Sequence, residues 1–254
     1  MPHRFYCPHL TESGAATLAD AEFHHLAHVM RHKVGDEVEL FSGDGLVAGC
    51  RLTNIGKSNA QFEILNARRE PPPAIELTIA TAVPKGDRFG WLVEKATELG
   101  VARIVPIVTE RSVVDPRDSK LDKMRQASIT ACKQCGRNHL MHIAAITSWK
   151  DFLQNISPGS QLLIAHPYES IGVDAHQASD GRKPSDSPNL ESHPHPSAPS
   201  PNPRKITIAV GPEGGFSESE IQTALALGAI PIQLGNYILR IETAAIAAAA
   251  KYLL

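Results

Sequence analysis

The run ITIAVGPEGGFSESEI, residues 206–221, carries the strongest chemical signal in the chain. An apolar strand pattern ends in Gly211-Pro212-Glu213-Gly214-Gly215, and a helix pattern begins near Ser217 with Glu220 placed for a capping box. Glycines at such a junction let the backbone approach a ligand and leave amide N–H groups free to bind it. The spacing is neither the G-x-G-x-x-G dinucleotide fingerprint nor a phosphate loop ending in G-K-[ST]. Alone, then, the loop is either a ligand site at the carboxyl end of a strand or an ordinary tight turn. A second loop, Leu234-Gly235-Asn236-Tyr237-Ile238-Leu239-Arg240, leads into IETAAIAAAAKYLL. Alanine-rich helices pack closely and are usually structural. Arg240 and Thr243 at the helix start, beside a glycine, bring a binding role level with that reading.

Two further patterns resemble metal or redox sites and weigh less. Cys132 and Cys135 form a C-x-x-C, but within SITACKQCGR, which reads as helix, and no second such pair completes a zinc site. His24, His28 and His32 recur at i, i+4, a spacing able to bind metal on a helix, although a solvated histidine face explains it as well.

The elements that must position these residues fall into two textures. Residues 1–70 hold a short helix around Glu22–His32 and then VGDEVELFSGDGLVAGCRLTNIGKSNAQFEIL, short strands broken by Gly-Asp turns, which suggests a small antiparallel barrel. The prolines after Arg69 read as a stiff linker. From residue 74 to 254 the texture is α/β. Strands are expected at IELTIATAV, ARIVPIVTE, QLLIAHP, KITIAV and PIQL. Helices are expected after Asp87, a candidate N-cap, up to Gly100, and over Ser119–Gly136, Ser217–Leu227 and Glu242–Leu253. Such alternation implies a mostly parallel sheet flanked by helices. Residues 170–204, rich in Pro, Ser, His and Asp, are too poor in aliphatic groups to offset ordering entropy and read as a disordered insertion.

The 254 residues carry a net charge of −2 and are 42% hydrophobic, ordinary for a globular protein. No apolar run is long enough to span a bilayer and the first residues lack a signal-peptide core, so a cytoplasmic location is expected. Between Arg103 and Leu140 basic residues outnumber acidic ones about two to one. That excess suits a phosphate-binding patch or a solvated helix face.

Taken together, VPKGDRFGWLVEKATELGVARIVPIVTERS, ACKQCGRN, GPEGGFSESEI and LGNYILRIETAAIAA resemble the ordered motifs of the RsmE family. These are uracil-N3 methyltransferases of 16S ribosomal RNA within the SPOUT superfamily. HRFYC and HHLAHVMRHKVGDEVELFSGDG are similar to that family's PUA-like barrel. The resemblance covers the chain apart from the insertion. The family usually has Pro-Arg where Asn236-Tyr237 stand, and Thr at Ile241.

The resemblance implies a SPOUT-type α/β domain with a C-terminal deep trefoil knot, preceded by the small PUA-like barrel. It implies S-adenosylmethionine bound by His166, Pro167, Val210, Gly211, Pro212, Glu213, Gly214, Gly215, Leu234, Gly235, Ile238, Leu239, Glu242, Thr243 and Ala244. The methyl acceptor would be uracil N3 of uridine 1498 in the small subunit, with homodimers formed through the knot and no metal required. Arg240 and Arg137 are candidates for contact with the developing uracil anion or a phosphate. Glu213 would orient the cofactor, accept the proton or cap the next helix. Arg4, Arg31, Lys33, Lys85, Arg111 and Arg137 are candidate RNA contacts. The alternatives are a related enzyme acting on ribose or guanine, and a non-catalytic RNA-binding assembly factor. A dehydrogenase is disfavoured by the missing fingerprint.

Overall fold

The strands in the second half of the chain are buried on both faces, with side chains divided between two core clusters. The structure, a computed structural model, describes residues 3–113, 118–166 and 203–254. In the strand Arg204–Val210 (β11) the five residues from Ile206 onward are all buried, as expected of a strand covered on both sides. Ile206 and Ile208 join one core cluster, Ala209 the other. The neighbouring strands Ile75–Thr81 (β6), Arg103–Val108 (β7) and Gln161–Ala165 (β10) divide likewise: Leu77, Ile79, Ile104 and Leu163 face one way, Ala80, Val105, Ile107, Leu162 and Ile164 the other.

With His142–Ile143 (β8), Thr147–Ser148 (β9) and Ile230–Ile232 (β12) these strands form one seven-stranded sheet, in the order β12-β10-β11-β6-β7-β8, with β9 also on β7. Every pairing in it is parallel. Helices Arg88–Leu99 (α2) and Ile241–Leu253 (α6) cover the first face, while Trp149–Gln154 (α4) and Glu218–Ala226 (α5) cover the second. In α2 the buried Phe89, Leu92, Val93 and Ala96 share one stripe. Gly100 ends the helix in the left-handed conformation at φ 95°. Asp87 does not cap α2, however: its side chain bonds no helix N–H, and its backbone is already αR. Helix Asp118–Cys135 (α3) packs beside α2.

Residues 4–69 form a separate five-stranded sheet from Arg4–Tyr6 (β1), Ala15–Ala19 (β2), Glu37–Phe41 (β3), Leu46–Ile55 (β4) and Asn59–Arg69 (β5), ordered β1-β3-β4-β5-β2. It is a half-barrel. The all-antiparallel expectation fails at one edge, where β1 lies parallel to β3. The single helix expected over residues 22–32 also differs. It is an α-turn Asp20–His24 (α1) followed by a π-helical turn His25–Val29, and Arg31 at φ 57° closes the segment. His32 therefore leaves the helix. Its Nδ1 lies 2.9 Å from Asp36 Oδ2 and its Nε2 2.8 Å from His3 Nδ1. Among the described residues no cluster of His, Cys, Asp or Glu is arranged to hold a metal.

The two sheets meet along a polar seam with an apolar centre of Phe41, Val47 and Cys132. Lys133 Nζ lies 3.0 Å from Glu22 Oε2, both side chains less than a fifth exposed. Asn138 Nδ2 donates to Glu70 Oε1 at 2.8 Å, and the Leu140 N–H to Gly43 O at 2.8 Å. In the C-x-x-C pair, Cys132 points inward, where burial pushes its thiol up to about 11, and Cys135 points outward.

Pro167 and positions 170–202 of the expected insertion lie outside the described residues. Among the described residues no helix is long and apolar enough to cross a membrane.

Candidate functional site

Four parallel strands end side by side as β12, β10, β11 and β6. Their carboxyl ends line one edge of the sheet, where parallel α/β proteins bind ligands because the following loops converge there. The edge is laced by backbone bonds: the His166 N–H donates to Ile232 O at 3.2 Å and the Ala82 N–H to Val210 O at 3.0 Å.

The glycine turn after β11 is held from several sides. The Gly215 N–H donates to Pro212 O at 2.8 Å. Gly211 sits so close to Phe216 that a Cβ there would lie 3.0 Å from its ring. Arg111, in the loop after β7, donates through Nη1 to Gly214 O at 2.8 Å and Phe216 O at 3.4 Å. Ser217 and Glu220 form the expected capping box, with the Ser217 N–H bonding Glu220 Oε2 at 2.9 Å. Glu220 Oε1 also accepts from the Glu110 N–H at 2.8 Å, tying α5 to the β7 end. The loop after β12 has little of this. Gln233 Nε2 donates to Gly235 O at 3.0 Å, while Tyr237 and Ile238 are 87% and 91% exposed.

Charge at this edge centres on Arg88, the first residue of α2. Its Nη1 lies 3.5 Å from Glu242 Oε1 and 3.9 Å from Glu213 Oε1. Glu242, in the first turn of α6, is buried with its Oε2 unpartnered. His166 Nε2 is likewise buried without a partner, and burial holds the His166 imidazole below its ordinary pKa despite the opposing pull of Glu218. Polar atoms left orphaned inside a protein are costly, and a ligand is one of the few explanations for them.

A model of an RNA methyltransferase domain matches residues 70–253, and one of an RNA methyltransferase PUA domain matches residues 18–65. The chain is 30% identical to Ribosomal RNA small subunit methyltransferase E of Bacillus subtilis, over 92% of this chain and 88% of that protein. The chain belongs to the RsmE family of RNA methyltransferases. It is 29% identical to the family member of Rickettsia conorii, over 95% of this chain and 91% of the other. A crystal structure of the Neisseria gonorrhoeae enzyme, bound to S-adenosyl methionine, superposes with a TM-score of 0.76 at 32% identity, over 99% of this chain and 96% of that one. RsmE proteins are transferases, and the half-barrel followed by a parallel α/β domain is their architecture.

Against this family background, the residues expected to act divide sharply. Val210 ends β11; Gly211, Pro212, Glu213, Gly214, Gly215, Leu234, Gly235, Ile238, Leu239, Glu242 and Thr243 lie on the loops at the carboxyl edge or on the first turn of α6, and His166 follows β10. Ala244 is buried against the core. Arg240 precedes α6 with an exposed side chain that caps nothing. Arg31, Lys33 and Lys85 are exposed.

Two of the expected contacts are engaged within the protein. Arg137 turns its guanidinium inward, donating through Nη1 to Thr97 O at 2.9 Å in the last turn of α2, and burial lowers its pKa. It serves a helix C-terminus, where a cation is favoured. The Arg4 side chain is 9% exposed, with Nε 2.6 Å from Glu39 Oε1, and it donates to Cys132 O at 2.9 Å and to Asn138 Oδ1. It fastens the half-barrel to α3. Arg88, which the sequence reading passed over, stands between two of the candidate carboxylates. Its one sequence signal is its place at the start of a helix after a glycine turn.

Proposed function

We propose that this chain transfers a methyl group from S-adenosylmethionine to uracil N3 of small-subunit ribosomal RNA at the carboxyl edge of its parallel sheet. The observation that supports this most is the gathering of open loops and orphaned buried polar atoms at that edge. The methyl donor carries an ammonium, ribose hydroxyls and an adenine amine, all hydrogen-bond donors, Glu242 Oε2 is a buried acceptor lacking one, and His166 Nε2 is a buried ring nitrogen without a partner. The residues present therefore fit this group. When bound, S-adenosylmethionine supplies an electrophilic methyl on a sulfonium sulfur.

The chain must then make uracil N3 nucleophilic. That nitrogen holds a weakly acidic proton, so donors aimed at the developing anion lower the barrier. Arg240, exposed at the mouth of the edge, is assigned that role. Glu213, half-exposed in the glycine turn and 3.9 Å from Arg88, is assigned cofactor orientation or proton acceptance. Arg31, Lys33, Lys85 and Arg111 are assigned to phosphates, Arg111 while still bracing Gly214. The threaded trefoil and a homodimer through it belong to this proposal, as does the share of the site taken by residues 165–167, 210–215 and 234–239.

Incubation with methyl-labelled cofactor and unmethylated small subunits, followed by mapping of the modified nucleotide, tests the reading. Label on the base of uridine 1498 supports it; label on a ribose, on guanine or nowhere overturns it. Arg240→Ala is expected to lower turnover roughly 100-fold while cofactor affinity changes little. Equal loss of both would move Arg240 into cofactor binding.

A further inference from the structure

A guanidinium between two carboxylates that belong to different loops is a built feature. Arg88 Nε donates to Lys85 O at 3.2 Å, which fixes the head group over the turn after β6. From there Nη1 reaches Glu242 on α6 and Glu213 in the glycine turn. The Glu242 side chain is only 9% exposed. Among the described residues Arg88 is the one cation within ion-pair distance of it. Arg88 engages Oε1 and leaves Oε2 without a partner.

We propose that Arg88 is a positioning residue for the methyl donor: by engaging Oε1 it holds the Glu242 carboxylate turned so that its second oxygen accepts from a donor group of S-adenosylmethionine. The inference rests on the proposed use of that cofactor. Arg88 does not touch the reacting atoms. It acts through Glu242 and secondarily by drawing the glycine turn toward α6 through Glu213. A purely structural staple would have the same contacts but would not make its effect depend on the Glu242 charge.

Calorimetric titration of the full chain with S-adenosylmethionine, without RNA, separates the two. Arg88→Met is expected to weaken binding about tenfold or more, the scale of one charged hydrogen bond. Arg88→Lys recovers most of the loss. In a Glu242→Gln background the same Arg88→Met change alters affinity by less than about twofold, because coupled residues are not additive. Arg88→Gln, which keeps a polar but shorter and uncharged head group, covers the case in which the methionine variant fails to fold, and it must lose affinity too. Unchanged affinity in the Arg88 variants, or an equal loss with and without the Glu242 charge, overturns the proposal. Failure of the unaltered protein to bind the cofactor would instead sink the functional reading on which it rests.

Discussion

The two glycine-bearing loops at the carboxyl edge are built on opposite plans. The turn at 211–215 is packed against Phe216, bonded by Arg111, and locked to α5 by a capping box whose glutamate also holds the β7 end. The loop at 234–239 has open space around Gly235 and displays Tyr237 and Ile238 to solvent. One is finished by the protein itself; the other leaves apolar surface and unfilled volume for something else. A preformed wall opposite an adaptable one lets a site recognise a ligand without reorganising everything around it.

Gly211→Ala should break the contrast most violently. Its new Cβ would sit 3.0 Å from the Phe216 ring with backbone close behind, so the ring and the turn must shift. A loss of about 1–3 kcal/mol in chemical denaturation is expected, together with weaker cofactor binding. A variant as stable as the parent would mean that the turn yields easily. Ser217→Ala removes one half of the capping box and should cost about 1 kcal/mol by the same measurement. Little or no change would show that the remaining Glu220 bonds suffice to hold the turn. Gly235→Ala is expected to leave stability within about 0.5 kcal/mol, as for an uncrowded surface site, since nothing lies within 4 Å of the new atom. Its affinity for S-adenosylmethionine should nevertheless fall, because the volume filled is volume the ligand uses. Unaltered affinity would place the ligand away from this loop.

Local order was legible and long-range partnership was not. The capping box at Ser217 and Glu220, the stop at Gly100 and the continuous apolar run of β11 depend on neighbours a few residues away, so composition and turn chemistry reveal them. The parallel pairing of β1 with β3 depends on an edge contact between Arg4 and Glu39, which no local pattern encodes. The same applies to charge. Arg4, Arg137 and Arg240 are one residue type in the sequence, yet the first two are consumed by carbonyls and carboxylates far along the chain and the third is free to reach outward. Asp87 stands where a cap is expected, but its backbone is already helical rather than extended, and its side chain bonds none of the first-turn N–H groups. Arg88 went unread for the converse reason: its meaning comes wholly from Glu213 and Glu242, which the fold brings to it.

The seam between half-barrel and α/β domain has a consequence for how distance is measured. Arg4, Lys133 and Asn138 tie the two sheets together across the seam. An RNA gripped by the half-barrel would thus present its next few nucleotides to the catalytic edge at a fixed reach and angle, as on a jig. The effective concentration of the correct base would be high, because its approach is settled by the first grip. The tighter these ties hold, the narrower the range of RNA folds whose base would meet the edge.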